Sequence, residues 1–158
     1  MNQWTAQLSD MAITNPILEA WLTDPSSTTE KFKIQGIIPS YHLQDQSIIS
    51  DLVWPEYLCQ NPLSRTVEIK IMNKVFMQAS SLISAKDTIK EKIQKLDTQP
   101  LGGILFSQKD LTRSAFLYSK GPGQTIQRIS HFNSTNLQCI LVEAFHLDHP
   151  LLSECNHG

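Results

Sequence analysis

Residues 65–82, which read RTVEIKIMNKVFMQASSL, decide the fold of this chain. Apolar Val67, Ile69 and Ile71 alternate with charged residues, which is the period of a strand with one buried face. The polar pair at 73–74 then marks a turn, after which an apolar run resumes. The stretch therefore predicts a β-hairpin.

Outside the hairpin, the pattern predicts three further strands, at 111–119, 126–132 and 137–147, with the Gly-Pro-Gly of residues 121–123 as a turn between the first two. Residues 34–52 mix β-branched residues with breakers and predict strand and loop. Strands that follow one another through turns, rather than through crossover helices, pair antiparallel.

Three helices are predicted from their capping signals. Asn15, followed by a proline at the first helical position, begins the first helix. Residues 27–30 (STTE) form a capping-box pattern at the start of the second, and the free amides of that turn attract anions. Ser84 with Asp87 begins a third helix, which stops before Pro100.

Taken together, the elements predict one α+β domain over residues 1–158, with a core at about 16–152 and helices flanking an antiparallel sheet. A chain of 158 residues is long enough to bury a core. The 13 basic and 15 acidic residues are spread along it, which disfavours a nucleic-acid partner. No apolar run is long enough for stable membrane insertion, and we expect a monomer.

The cysteines are odd in number and widely spaced, so they indicate neither a disulfide framework nor a zinc site; they are Cys59, Cys139 and Cys155. This usage predicts a reducing, cytoplasmic location. The histidines between 146 and 157 match no closed zinc pattern, and we expect no metal.

Two charged residues stand where the strand pattern predicts burial. Arg65 shares a face with Val67 and Ile69, and Glu143 has apolar neighbours of both parities. An isolated buried charge is too costly to leave uncompensated, so each needs a partner or, for Glu143, a bound proton. The two could pair with each other, or Arg65 could reach water at the strand end. Alternatively, both line a cavity that holds an anionic ligand with a hydroxyl group.

A further candidate is the loop at residues 100–103 (PLGG). Its glycines allow close backbone approach, and the amides near Leu101 could point at a ligand. A Pro-Gly loop after a helix is also the ordinary form of a turn.

Several of these stretches resemble the chorismate lyase (chorismate-pyruvate lyase) family of ubiquinone biosynthesis. Residues 98–106 (TQPLGGILF) and 111–113 (LTR) are similar to the family's Pro-Leu-Gly, Leu-Phe and Leu-Thr-Arg run. Arg65 matches the arginine that opens the family's hairpin. Residues 141–145 (LVEAF) look like its Thr-Glu-Leu-Phe segment. The resemblance extends from about Trp21 to Leu151.

This resemblance implies an antiparallel α+β fold with an enclosed ligand cavity. In the family, 4-hydroxybenzoate lies in that cavity. Carried over, Arg65 and the amides of Thr28 and Leu101 hold the ring carboxylate, and Glu143 faces the 4-hydroxyl group. The implied activity is a cofactor-independent lyase that converts chorismate to 4-hydroxybenzoate and pyruvate, with catalytic roles for Arg65 and Glu143.

Chorismate is a dianion, so a second cation is wanted in the site. Arg128 is our first choice for that substrate-binding role, and Arg113 is the reserve; the chain has one other arginine, Arg65. The family's Gly-Arg-Thr is Ala-Ser-Ser at 79–81, which removes an arginine at Ser80. Two alternatives therefore stay open: a small-molecule binding or effector domain of the same fold without activity, and a catalytically decayed relative.

Overall fold

The computed structural model describes residues 4–11, 13, 15–48 and 62–152. Its strands are β1 (Ser40–Ile48), β2 (Leu63–Ile71), β3 (Lys74–Ala85), β4 (Thr112–Arg113), β5 (Leu117–Lys120), β6 (Thr125–Asn133) and β7 (Leu137–His146). Its helices are α1 (Pro16–Thr23), α2 (Thr28–Ile34), α3 (Asp87–Gln94) and α4 (Gly102–Leu105), with 3-10 turns at Leu8–Met11 and Pro150–Leu152.

The seven strands form one antiparallel sheet in the order β1-β2-β3-β7-β6-β4, and β5 pairs with an earlier part of β6, along the same edge as β4. The predicted hairpin is β2 and β3, whose turn places Met72 and Asn73 at positive φ. The prediction of a single α+β domain with an antiparallel sheet is confirmed.

One face of this sheet carries the core. Along β2 the side chains alternate strictly between buried and partly exposed, as the period of the sequence predicts. Helices α1 and α2 pack on the buried face through an aromatic cluster with ring centroids 5.0–5.9 Å apart: Trp21, Phe32, Phe76 and Phe145. This packing fixes the position of both helices over the sheet.

Two predicted boundaries are wrong, each for a reason of sheet pairing. The third helix begins at Asp87 and not at Ser84, because Ser84 and Ala85 still pair with β7 and continue β3. The strand predicted over 111–119 is two strands, β4 and β5. Between them, the Ser114 amide still donates to the His131 carbonyl, but the His131 amide donates to the Ser114 hydroxyl at 2.8 Å.

The structure also resolves regions that the sequence left open. Within 34–52, α2 ends at Ile34 and β1 follows from Ser40; residues 49–52 lie outside the described residues. The PLGG loop leads directly into the short helix α4. Cys59, Cys155 and His157 also lie outside the described residues.

Asn15 joins the two ends of the core. Its Oδ1 accepts hydrogen bonds from the amides of Ile17 and Leu18, and its Nδ2 donates to the Leu152 carbonyl. We predict that Asn15→Ala lowers the free energy of unfolding by about 1–2 kcal/mol, because the helix start loses its cap. Asn15→Asp keeps the two accepted bonds and should lose less. Urea unfolding of both variants tests this, and equal losses would contradict a capping role.

Candidate functional site

A pocket lies between the buried face of the sheet and the first residues of α2 and α4. Its volume is about 90 Å³, several times the roughly 10–15 Å³ that one water needs. Four of the predicted site residues line it together, although they come from four different elements and loops: Thr28, Arg65, Leu101 and Glu143.

Small side chains in the centre of the sheet make room for the pocket. Ala79 and Ser81 are neighbouring inward positions of β3, and both line the pocket. Larger residues flank them on the same strand, with Met77 on one side and Ile83 on the other. The floor of the pocket is therefore a gap in the core, and apolar residues such as Leu141 wall it on the sheet side.

Arg65 does not pair with Glu143 and does not reach water, since it is only 1% exposed. Its Nη2 donates to the carbonyl oxygens of Asp97 and Gln99, each at 2.7 Å, and its Nη1 donates to Gln46 Oε1 at 2.9 Å. The two carbonyls belong to the chain just before the PLGG loop. Arg65 therefore fixes that loop against β2.

These bonds leave Arg65 with capacity for an anion. Its Nε is buried and has no hydrogen-bond partner in the part of the chain that the structure describes. Burial lowers the pKa of the guanidinium, and the charge of nearby Asp97 opposes that shift. Because carbonyl and amide oxygens carry no full charge, the hydrogen bonds of Arg65 do not neutralise it.

Glu143 accepts the densest set of polar contacts in the pocket. Arg128 donates to both of its oxygens, from Nε to Oε1 at 2.8 Å and from Nη2 to Oε2 at 3.3 Å. The Thr28 hydroxyl donates to Oε2 at 3.1 Å, and Arg113 Nη2 lies 3.6 Å from Oε1. A paired arginine and two further positive or donor groups therefore surround the Glu143 side chain.

Arg128 lies behind Glu143 and is not among the residues that line the pocket. It is 2% exposed, and its Nη1 donates to the carbonyls of Trp21, Leu22 and Asp24 at 2.8–3.2 Å. Two of these are carbonyls of the last turn of α1, which lack intrahelical partners. The structure thus places Arg128 between the carboxylate and the end of α1, away from a ligand in the pocket.

Arg113, the reserve in the sequence analysis, does line the pocket. The break between β4 and β5 follows it, and its guanidinium lies over the rings of Phe116 and Phe132, 4.5 and 4.7 Å from their centroids. The Leu-Thr-Arg motif was the only signal for this residue in the sequence. The strand break that follows Arg113 is not visible in hydrophobic periodicity.

The two predicted main-chain contacts lie close together. Thr28 is the first residue of α2, with Ser27 as its cap, and Leu101 is the cap of α4. A Cβ on Gly102 would lie 3.5 Å from the Ser27 hydroxyl oxygen, so the two helix starts almost touch. Amides in the first turn of a helix have no intrahelical acceptor, which leaves those of Thr28 and Leu101 to other partners.

Comparison with known proteins adds no identity: no family model and no curated protein matches the chain. The described residues contain no group of three or more metal-binding side chains that could hold an ion. Within the same ranges, none of the helices has the length and hydropathy to cross a membrane.

Ser80, where the sequence differs from the resembled family, does not line the pocket. Ser80 pairs with Thr66 on β2, and their hydroxyl oxygens are 3.3 Å apart. Both stand on the sheet face opposite to Arg65, as the alternation along β2 and β3 requires. The resembled family carries an arginine at this position. Its replacement by Ser80 therefore leaves the wall of the pocket unchanged.

Loss of the Arg128 guanidinium should destabilise the fold strongly. We predict that Arg128→Met lowers the free energy of unfolding by about 3–5 kcal/mol, because Glu143 stays buried without its bidentate partner. Lys33→Met is the control, since Lys33 forms only an exposed ion pair with Glu30 and should change stability by less than about 0.5 kcal/mol. Urea unfolding tests both; a loss below about 1 kcal/mol for Arg128→Met would contradict the assigned role.

Proposed function

We propose that the protein is a chorismate lyase, which converts chorismate to 4-hydroxybenzoate and pyruvate without a cofactor. One observation carries the proposal: Thr28, Arg65, Leu101 and Glu143, the four positions implied by the family resemblance, line one pocket. They are separated by up to 115 residues in the chain, as in the Thr28 to Glu143 hydrogen bond. Residues so far apart in the chain are brought together by the tertiary fold.

In the proposed complex, the ring carboxylate lies at the end of the pocket formed by Arg65 and the starts of α2 and α4. Arg65 contributes the charge and its unpartnered Nε, and the amides of Thr28 and Leu101 contribute further donors. The ring lies between apolar side chains, among them Val67 and Leu141. An apolar wall with a few convergent polar groups is typical of sites for small organic ligands.

Glu143 takes the opposite end of the ring. Its carboxylate accepts a hydrogen bond from the 4-hydroxyl group, and it is our candidate for acid-base chemistry at that position. Arg128 and Thr28 keep the carboxylate in place, so the substrate is oriented by a group that is itself fixed. Such fixed orientation lowers the entropy that the reaction must lose.

The reaction needs little more than orientation and proton transfer. The ether bond between the ring and the enolpyruvyl oxygen breaks, and its electron pair leaves with that oxygen. The ring carbon that carries the hydroxyl group loses its proton, and the electrons of that bond complete the aromatic ring. The released enolpyruvate gains one proton at its methylene carbon and becomes pyruvate, so atoms and electrons balance.

The same proposal places the enzyme at the first step of ubiquinone biosynthesis, as a monomer in the cytoplasm. Its small-molecule partners are then chorismate and 4-hydroxybenzoate. The charge of the pocket favours such anions, because it contains two guanidinium groups and one carboxylate among its lining residues.

Turnover of chorismate is the direct test. The purified protein is mixed with chorismate, 4-hydroxybenzoate is followed by absorbance, and pyruvate is followed by a coupled dehydrogenase. We expect both products in equal amounts. If neither product forms, the protein is not a lyase; thermal stabilisation by 4-hydroxybenzoate without turnover would then favour an aromatic-acid binding domain.

Removal of the Arg65 charge should abolish tight binding of the product. We predict that Arg65→Ala weakens 4-hydroxybenzoate binding by about tenfold or more, because a charge-assisted hydrogen bond is lost. Lys70→Ala is the matched control: Lys70 lies on the same strand but on the opposite face, paired with Glu68. Calorimetric titration measures both affinities. Wild-type affinity in a folded Arg65→Ala protein would refute the assignment of the carboxylate end.

A further inference from the structure

Arg113 is the buried cation whose contacts the fold explains least. Its Nη1 donates to the Pro25 carbonyl at 2.7 Å, and its Nη2 lies 3.6 Å from Glu143 Oε1. Its Nε is buried and finds no hydrogen-bond partner within the described residues. One good hydrogen bond to a neutral oxygen, together with the rings of Phe116 and Phe132, replaces only part of the hydration of a guanidinium group.

Glu143 cannot neutralise both arginines. Arg128 already occupies its two oxygens with the shorter, bidentate contacts, so Arg113 receives only the longer contact. The cluster of Arg113, Arg128 and Glu143 therefore carries a net charge of +1, from two cations and one anion. Burial lowers the pKa of the Arg113 guanidinium, and Glu143 only opposes that shift.

Arg65 supplies a second positive charge from the other side of the pocket, and its three hydrogen bonds go to neutral oxygens. Arg65 is on β2 and Arg113 is on β4, four strand positions apart in the sheet order. Four spacings of about 4.8 Å separate the two backbones by roughly 19 Å, and both side chains line the pocket. Two separated positive charges fit a ligand with two separated negative groups.

We propose that Arg113 forms a second anion subsite, which binds the carboxylate of the enolpyruvyl side chain of a dianionic substrate. This inference rests on the proposed function. It explains in addition why the site binds the substrate more tightly than the product. 4-Hydroxybenzoate has lost the second carboxylate, so Arg65 is the one arginine of the two that it engages. Binding is then weaker after the reaction, which helps the product to leave.

Two chemically stable ligands distinguish binding at Arg113 from binding at Arg65. 3-(Carboxymethoxy)benzoate carries two carboxylates, and 3-methoxybenzoate carries only the ring carboxylate. Calorimetric titration of the wild-type protein should show that the dianion binds about tenfold or more tightly, as a charge-assisted hydrogen bond gives. The preference should fall as the salt concentration rises.

The decisive variant is Arg113→Gln. We expect it to bring the affinity ratio of the two probes close to one, while the affinity for 3-methoxybenzoate changes less than about twofold. Arg113→Lys keeps the charge and should retain part of the preference. Lys33→Gln removes one exposed charge and should leave the ratio unchanged. An unchanged ratio in Arg113→Gln, or an equal loss for both probes, would overturn the subsite.

A measurement on the wild-type protein covers the case in which Arg113→Gln fails to fold. The side-chain Nε-H signal of Arg113 in a ¹⁵N spectrum should shift on addition of 3-(carboxymethoxy)benzoate and stay in place with 3-methoxybenzoate. The reverse pattern, or no shift with either probe, would refute the proposal.

Chorismate turnover distinguishes the failure of this inference from that of the proposed function. If the dianion preference depends on Arg113 but no pyruvate forms, the result supports the subsite and refutes the lyase activity. If turnover occurs and Arg113→Gln leaves the KM for chorismate unchanged, the result supports the lyase activity and refutes the subsite.

Discussion

The bidentate ion pair between Arg128 and Glu143 is the interaction on which the rest of the site depends. The two residues are directly opposite each other on β6 and β7, and both are at most 3% exposed. From the pair, hydrogen bonds extend to the last carbonyls of α1 and to the Thr28 hydroxyl at the start of α2. A buried ion pair adds little net stability compared with apolar packing. Its effect here is positional, because it fixes the carboxylate and two helix ends against one point of the sheet.

The positions of the arginine side chains follow from this arrangement. The chain has three arginines, and all three have guanidinium groups that are largely buried around the pocket and Glu143. Arginine suits such positions because its planar fork makes several directed hydrogen bonds and keeps its charge when desolvated. Among the three guanidinium groups and Glu143, the positive charges exceed the negative by two, and Asp97 and Asp24 lie near enough to act on Arg65 and Arg113. The overall charge of -2 conceals this local excess.

The sequence predicted which charged side chains of the site are buried, but it did not predict their hydrogen-bond partners. Strict alternation along β2 was enough to predict that Arg65 points into the core, and the apolar surroundings of Glu143 indicated its burial. Parity assigns a side chain to a face but does not say which residue lies opposite, so the Arg128 partner of Glu143 could not be read from it. The edge strand that carries Arg113 breaks next to Ser114, where the His131 amide donates to the serine hydroxyl and not to a backbone carbonyl. Local patterns do not record such a tertiary contact, and the same holds for the extension of β3 through Ser84 and Ala85.

The central claim is that the polar groups at the starts of α2 and α4 and the Arg65 guanidinium form one receptor for an aromatic carboxylate. Titration of ¹⁵N-labelled protein with 4-hydroxybenzoate tests it most directly. The account predicts that the backbone amides of Thr28 and Leu101 show the largest chemical-shift changes, together with the Nε-H of Arg65, and that all three saturate at the same ligand concentration. Shifts that map to the opposite face of the sheet, or amides of Thr28 and Leu101 that do not respond while others saturate, would contradict it.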